Sequence, residues 1–274
     1  MLQSKPGWLQ KAVKGVLLDI TGVLYNSGQG LGQAIPGSIN AVERLKSSGI
    51  PVKFCTNETQ CTREKLVSKL NKLGFSLTLN EVHSPAPLAV AYIKEHKLRP
   101  YLLVHTEALG DYADVEKSES NCVVVGDAAE EFNYENMNRA FRVLLESDNP
   151  IILALGTGRY YKDSGELVLD NGPFIKALEY ACDVKTVVLG KPATSYFDGA
   201  VKKLGVPAEN VIMIGDDLIG DVGGAQSCGI RGVQVKTGKY RLQDEQHETI
   251  KADGRVKDLA EAAELILQFN TVTT

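Results

Sequence analysis

The chain has 274 residues, of which 43% are hydrophobic, and its formal net charge is −4. These values are typical of a globular protein with one large or two medium domains. There is no long basic block and no apolar run of about 18 residues, so the sequence predicts neither nucleic-acid binding nor a membrane span. Residues 1–14 contain no apolar stretch of signal-peptide length, and we therefore expect a cytoplasmic protein.

Short apolar, β-branched segments that end in polar residues alternate along the chain with amphipathic segments. The strands predicted from them are 16–19, 52–57, 186–191, 211–217 and 232–235. The helices predicted after these strands are 38–47, 63–73, 196–204, 222–227 and 259–267. Alternation of this kind predicts an α/β fold built on a doubly wound, Rossmann-like parallel sheet.

One interval between the predicted strands is too long for a single crossover. Residues 56 and 191, at the ends of the second and third strands, lie 135 positions apart (191 − 56). A βαβ step needs only about 30 residues, so roughly 95–100 residues form an inserted domain. The insert is α/β as well, with predicted strands at 101–105, 122–125 and 151–154 and predicted helices at 86–96, 136–145 and 173–181. The predicted division is a core of residues 1–87 and 184–274 with an insert of residues 88–183.

Four residues with useful chemistry stand at the ends of the predicted core strands: Asp19, Thr56, Lys191 and Asp216. The carboxyl ends of parallel strands meet at one edge, where open α/β sheets bind ligands. A carboxylate such as Asp19 can attack phosphorus and form an aspartyl phosphate. Its second oxygen, with Asp216 and the backbone carbonyl of Thr21, suits Mg²⁺, which takes few carboxylates together with water and phosphate oxygens. The sequence therefore predicts a magnesium-dependent phosphoryl-transfer site.

The remaining predicted site residues bind the phosphoryl group or support the metal ligands. Thr56 offers a hydroxyl and Asn57 an amide to the phosphoryl oxygens. Lys191 would offset the charge on the phosphoryl group and on the nucleophile as the transition state forms. Asp217 and Asp221 would orient the metal ligands without binding the ion themselves. The predicted substrate-binding residues are Asp19, Ile20, Thr21, Thr56, Asn57 and Lys191.

These motifs resemble the haloacid dehalogenase (HAD) superfamily of aspartyl-phosphate phosphatases. They stand in this order in the chain: Asp19-Ile20-Thr21-Gly22-Val23, Thr56, Lys191 and Gly215-Asp216-Asp217. The insert resembles the C2-type cap of that superfamily. Residues 15–20, 54–58, 159–162, 177–181 and 213–217 are similar to the members that act on phosphohistidine, phospholysine and inorganic pyrophosphate. The resemblance extends over about residues 14–267.

The resemblance implies several properties that the residue pattern alone does not give. The cofactor would be Mg²⁺, and the partners would be phosphorylated small molecules or proteins that carry phosphohistidine or phospholysine. The protein would be a homodimer formed through the cap, in the cytoplasm and also the nucleus. In the cap, Arg159 would contact a phosphate, and Tyr160 or Tyr161 would flank a ring and help to select substrates.

Thr21 stands where most phosphatases of the superfamily carry a second aspartate, which protonates the leaving group. Such acid–base help is worth about 10²–10⁴-fold in rate. Without it, an alkyl phosphate is a poor substrate, whereas a phosphoanhydride releases a weakly basic phosphate and a phosphoramidate nitrogen can take a proton from solvent. The expected substrates are phosphohistidine, phospholysine, imidodiphosphate and pyrophosphate. Two alternatives stay open: a phosphomonoesterase of the same capped family, and a phosphate-binding protein with little turnover.

Two other segments invite a functional interpretation. The glycine-rich residues 28–32 do not fit the G-x-G-x-x-G register of a dinucleotide site, so a mobile flap beside Asp19 or a surface turn is expected. Asp127 and Glu130-Glu131 follow a predicted strand of the insert and are expected to be solvated charges.

Overall fold

The computed structural model describes residues 4–270. Its strands are β1 (Gly15–Asp19), β2 (Tyr25–Asn26), β3 (Gln33–Ala34), β4 (Val52–Cys55), β5 (Val82–His83), β6 (Pro100–Leu103), β7 (Cys122–Val125), β8 (Ile151–Ala154), β9 (Tyr160–Asp163), β10 (Glu166–Leu169), β11 (Lys185–Val188), β12 (Val211–Gly215), β13 (Arg231–Val235) and β14 (Gly254–Val256). Its α-helices are α1 (Ser38–Ser47), α2 (Arg63–Lys72), α3 (Pro85–Glu95), α4 (Tyr134–Glu146), α5 (Asn171–Cys182), α6 (Thr194–Leu204), α7 (Gly224–Gln226) and α8 (Leu259–Phe269). A π-helical turn, Leu218–Gly223, directly precedes α7 and with it replaces the helix predicted at 222–227.

The larger sheet has six parallel strands in the order β14-β13-β12-β1-β4-β5. Leu18 of β1 packs with residues of α1, α2 and α8, whereas its neighbour Leu17 packs with residues of α6 on the opposite face. Successive side chains of a strand point to opposite faces, so both faces of this sheet are covered by helices. The predicted doubly wound core is confirmed.

The insert forms its own parallel sheet, in the order β11-β8-β7-β6. Ala89 and Ile93 of α3 pack on one face of this sheet, and Leu144 of α4 and Leu178 of α5 pack on the other. The insert is therefore an α/β domain, as predicted, and each of the two domains has its own core.

One predicted strand belongs to the other sheet. The segment 186–191 was expected in the core, but β11 pairs in parallel with β8 of the insert, with Lys185 opposite Ile151 and Val188 opposite Ala154. An apolar run has the same pattern in any buried parallel strand, and only tertiary pairing decides its sheet. The pairing also places residues 185–188 with the insert, beyond the limit predicted at 183. The limit predicted at 87 lies inside α3, whose buried residues pack in the insert.

The sequence analysis did not predict the hairpins β2–β3 and β9–β10 or the edge strands β5 and β14. β2, β3, β5 and β14 have only two or three residues, which is too few to show a period. No helix among residues 4–270 has the length and apolar character needed to cross a membrane.

Candidate active site

Asp19 is the last residue of β1, and the parallel neighbours β4 and β12 end beside it. The chain that leaves β4 carries Thr56, and the chain that leaves β12 carries Asp216. The three residues therefore meet at one edge of the sheet, where they are 6%, 2% and 3% exposed, respectively. The structure brings the predicted residues together, and their chemical roles stay predictions.

Lys191 lies in the same place although it follows a strand of the insert. Its Nζ is 2.6 Å from Asp19 Oδ1, 2.6 Å from Asp221 Oδ1 and 3.3 Å from the carbonyl oxygen of Cys55. Burial by itself would lower the pKa of Lys191, but the two carboxylates raise it and keep the ammonium charged. The side chain is thus a fixed positive charge against the proposed nucleophile.

Asn57 fixes the backbone of Lys191. The Lys191 amide donates to Asn57 Oδ1 at 2.8 Å, and Asn57 Nδ2 donates to the Lys191 carbonyl oxygen at 2.9 Å. In this structure the side-chain amide of Asn57 therefore positions the lysine, and its predicted contact with a phosphoryl oxygen stays a prediction.

Asp217 and Asp221 organise the turn that follows β12. Asp221 is completely buried, and its Oδ2 accepts from the Asp217 amide at 3.1 Å. Asp217 Oδ1 accepts from the amides of Ile219 and Gly220 at 2.9 and 3.0 Å, at the start of the π-helical turn. Burial and the charge of Asp19 raise the pKa of Asp221 to about 7, against the opposing effect of Lys191. Asp221 thus holds Lys191 in place, and its predicted role beside the metal ligands stays a prediction.

The carboxylates at this edge fit a divalent cation. One oxygen from each of Asp19, Asp216 and Asp221 lies within 4.8 Å of the others. Asp216 Oδ2 accepts from the Lys239 amide at 2.8 Å, whereas its Oδ1 is buried and has no hydrogen-bond partner among the described residues. Burial raises the pKa of Asp216 well above its usual value, and the charges of Asp19 and Asp221 add to this effect. A cation would satisfy the orphaned oxygen and offset the excess negative charge.

Residues 237–239, which follow β13, form a part of the site that the sequence analysis missed. Lys239 Nζ is 2.9 Å from Asp217 Oδ2, and Thr237 Oγ1 donates to the Gly22 carbonyl at 2.5 Å. At Gly22, where φ is +88°, a Cβ atom would lie 2.1 Å from Asp216 Oδ2, so only glycine fits. The signal was available, because these residues also follow the carboxyl end of a predicted core strand.

Thr56 is supported by Tyr196 and His83. The Tyr196 hydroxyl lies 3.0 Å from the Thr56 carbonyl oxygen, and His83 Nε2 lies 3.0 Å from the Tyr196 carbonyl oxygen. His83 Nδ1 is 3.1 Å from Lys203 Nζ. Because the ammonium group of Lys203 can only donate, His83 Nδ1 is an acceptor and its Nε2–H is a donor. The imidazole of His83 is therefore neutral. Burial, together with the charge of Lys203, lowers the pKa of His83 to about 4.

A cavity of about 520 Å³ opens above Asp19 between the core and the insert. The residues of the insert that line it are Asp127, Thr157, Gly158, Arg159, Tyr160, Tyr161, Lys162, Asp163 and Asp170. The Arg241 guanidinium lies 4.9 Å from the centre of the Tyr160 ring, and Ser27 Oγ donates to the Lys162 carbonyl at 2.8 Å. Ser27, which directly precedes the glycine-rich residues 28–32, thus joins the core to the β9–β10 hairpin beside the cavity. Arg159 and Tyr160 line the cavity as expected, and their part in specificity stays a prediction.

Asp127 is not the solvated charge that the sequence suggested. Its Oδ2 accepts from Gln60 Nε2 at 2.9 Å, and Gln60 Nε2 also lies 2.9 Å from the Tyr161 hydroxyl. Burial, with the charges of Asp170 and Glu58, raises the pKa of Asp127 to about 7. The expectation was wrong because the packing of the insert on the core encloses this carboxyl group, which no local pattern shows.

Comparison with known proteins agrees with this site. Residues 16–136 match the family described as haloacid dehalogenase-like hydrolase, and residues 188–262 match the HAD-hydrolase-like family. The chain belongs to the haloacid dehalogenase-like hydrolases, and it is therefore a hydrolase.

Among its relatives is the human phospholysine phosphohistidine inorganic pyrophosphate phosphatase, which is 54% identical over 93% of this chain and 95% of that protein. The protein of the same name from Danio rerio is 51% identical over 94% of this chain and 95% of that protein. A haloacid dehalogenase-like hydrolase domain-containing protein 2 from Bos taurus is 41% identical over 86% of this chain and 89% of that protein.

Solved structures share the fold. The 4-nitrophenylphosphatase of Thermotoga maritima has a TM-score of 0.81 at 24% identity and covers 92% of this chain and 97% of that chain. NagD from E. coli has a TM-score of 0.77 at 18% identity, and the match covers 92% of this chain and 98% of that chain. The predicted HAD core with an inserted cap is confirmed.

Proposed function

We propose that this hydrolase is a magnesium-dependent phosphatase that forms an aspartyl phosphate on Asp19 and hydrolyses P–N and P–O–P bonds. The observation that carries the proposal is the contact of 2.6 Å between Lys191 Nζ and Asp19 Oδ1, beside the unpaired oxygen of Asp216. The names of the relatives at 51–54% identity support the substrate class. The proposed substrates are imidodiphosphate, inorganic pyrophosphate, phosphohistidine and phospholysine, either free or within a protein.

Each residue of the site has a task in the proposed reaction. Asp19 attacks phosphorus in line with the leaving group, and water then hydrolyses the aspartyl phosphate. Lys191 stabilises the charge that develops on the phosphoryl oxygens, and the Thr56 hydroxyl binds one of them. Asp19, Asp216 and the carbonyl of Thr21 would hold Mg²⁺, which supplies further charge neutralisation at the phosphoryl oxygens.

The test is phosphate release with and without Mg²⁺ from imidodiphosphate, pyrophosphate, a phosphohistidine peptide and an alkyl monoester. We expect magnesium-dependent release that is faster from P–N and P–O–P bonds than from the ester. The Asp19→Asn variant should lose release from every substrate, whereas Glu130→Gln, a change at an exposed carboxylate of the insert, should not. Equal activity of Asp19→Asn and the parent would refute the nucleophile.

A phosphomonoesterase is the second candidate, because the cavity of about 520 Å³ has room for an organic group beside the phosphate. Faster release from the alkyl monoester would favour it. Binding of phosphate compounds without release would instead indicate a phosphate-binding protein. Homodimer formation and residence in the cytoplasm and nucleus stay predictions that sedimentation and cell imaging can check.

A further inference from the structure

The leaving groups of P–N and P–O–P substrates can depart without an acid at position 21, but a proton donor elsewhere in the cavity would speed their departure. Asp170, which directly precedes α5, has a carboxyl group that lines the cavity above Asp19. It belongs to the insert, whereas Asp19 belongs to the core, and both side chains line the same cavity. A leaving group that departs in line from Asp19 moves away from the core and towards the insert.

Packing places Asp170 close to the residues that hold the catalytic lysine. A Cβ atom on Gly158 would lie 1.8 Å from Asp170 Oδ2, so that carboxylate oxygen rests against Gly158. In the same loop, a Cβ atom on Gly156 would lie 2.4 Å from Asn57 Nδ2, and Asn57 is bonded to the backbone of Lys191. The loop of residues 156–158 therefore contacts Asp170 at Gly158 and Asn57 of the core site at Gly156.

The bonding of Asp170 leaves one oxygen available. Its Oδ1 accepts from the Asn171 amide at 2.7 Å, which fixes the direction of the side chain. Its Oδ2 has no hydrogen bond to any described residue and belongs to a side chain that lines the cavity. This free oxygen is the atom that would carry the acidic proton.

The surroundings favour the protonated form of Asp170. Burial raises its pKa, and the charge of Asp217 adds to this, against the Asn171 amide and the charges of Lys239 and Lys191. Glu58 lines the cavity from the core, and the other ionisable groups of the insert that line it are Asp127, Arg159, Tyr160, Tyr161, Lys162 and Asp163. The charge of Asp170 also contributes to raising the pKa of Asp127, so the two carboxyl groups lie in the same negatively charged part of the cavity.

We propose that Asp170 is the general acid of the reaction and takes the place of the acid missing at Thr21. The proposal rests on the proposed phosphatase function. As Asp19 forms its bond to phosphorus, the bond from phosphorus to nitrogen or oxygen breaks, and its electron pair goes to the leaving atom. That atom takes the proton from Asp170, which becomes a carboxylate. Water then attacks the aspartyl phosphate, gives its proton to Asp170 and releases orthophosphate and free Asp19.

The test is the dependence of rate on the leaving group in Asp170→Asn. Asparagine caps a helix as well as aspartate does, so this change removes the proton and keeps the cap of α5. A proton on the leaving oxygen or nitrogen speeds the departure of phosphate or of an amine from pyrophosphate and imidodiphosphate, whereas 4-nitrophenolate leaves without one. We expect kcat for the first two to fall by about 10²-fold or more, and kcat for 4-nitrophenyl phosphate to change by only a few-fold. Glu166→Gln, at an exposed position of β10, is the matched control.

The pH profile and a rescue variant complete the test. The parent should lose pyrophosphatase activity as pH rises and Asp170 loses its proton. This alkaline decrease in activity should be absent in Asp170→Asn. Asp170→Glu should recover part of the pyrophosphatase rate that Asp170→Asn loses. Equal loss on all three substrates, or an unchanged alkaline limb, would overturn the assignment. If Asp127→Asn alone shows the leaving-group signature, the acid is Asp127 and the assignment to Asp170 is wrong. Failure of the parent to release phosphate from any substrate would refute the proposed function instead.

Discussion

Lys191→Met tests whether one ammonium neutralises the buried carboxylates of the site. Lys191 is 6% exposed and lies 2.6 Å from both Asp19 and Asp221. Removing one partner of a buried ion pair leaves the other charges uncompensated, at a cost of about 3–5 kcal/mol. For a protein of this size each kcal/mol shifts Tm by about 2–4 °C, so the metal-free variant should melt roughly 6–20 °C below the parent.

The assay is thermal unfolding in chelator at neutral pH, followed by calorimetry or circular dichroism. Lys202→Met, at an exposed position of α6, is the control and should melt like the parent. The double variant Lys191→Met/Asp221→Asn should be more stable than Lys191→Met, because it removes one of the two uncompensated carboxylates, and the coupling should exceed about 1 kcal/mol. A Lys191→Met protein as stable as the parent, or additive effects in the double variant, would show that the lysine does not neutralise these carboxylates.

Three further predictions concern the metal, the catalytic loop and pH. Mg²⁺ should raise the Tm of the parent but not that of Asp216→Asn, because that variant lacks one proposed carboxylate ligand; an equal rise in both would contradict the ligand assignment. Gly22→Ala should abolish activity and destabilise the fold by at least about 1–3 kcal/mol, since φ is +88° and the Cβ would meet Asp216 Oδ2, which denaturant unfolding can measure. His83 binds a proton near its usual pKa of 6.5 when unfolded but only near pKa 4 when folded, so the parent loses stability as pH falls through this window, by roughly 3 kcal/mol at most. His83→Gln, which keeps a donor for Tyr196 and an acceptor for Lys203, should lose less stability than the parent as pH falls. Identical curves of stability against pH for the two proteins would refute this prediction.

Much of the site follows from local pattern. Asp19 and Asp216 each follow an apolar run that forms a strand, and such runs in a parallel sheet end at one edge. The reasoning worked for the core because burial on both faces leaves an unbroken hydrophobic run in the sequence. It failed for 186–191, whose run is equally apolar but pairs with the insert.

Contacts between distant segments carry no such signal. Lys239 and Asp127 belong to loops whose local sequence is that of ordinary polar turns. They lie at the cavity because β13 ends at the same edge as β1 and because the insert packs over the core. The end of β13 was predicted, so the place of Lys239 could have been inferred, whereas the packing of the insert over the core has no period or motif that a short window can show.

The sequence by itself determined the alternation of strands and helices, the insertion of a second domain and the residues Asp19, Thr56, Lys191 and Asp216, since hydrophobic period and strand-end chemistry are local properties. The tertiary structure alone decided that Lys191 reaches the core from a strand of the insert, that Asp221 clamps it and that Asp127 and Asp170 are enclosed above the nucleophile. The physical reason is that burial and charge pairing depend on which segments pack together. Those partners lie tens to more than a hundred residues apart in the chain.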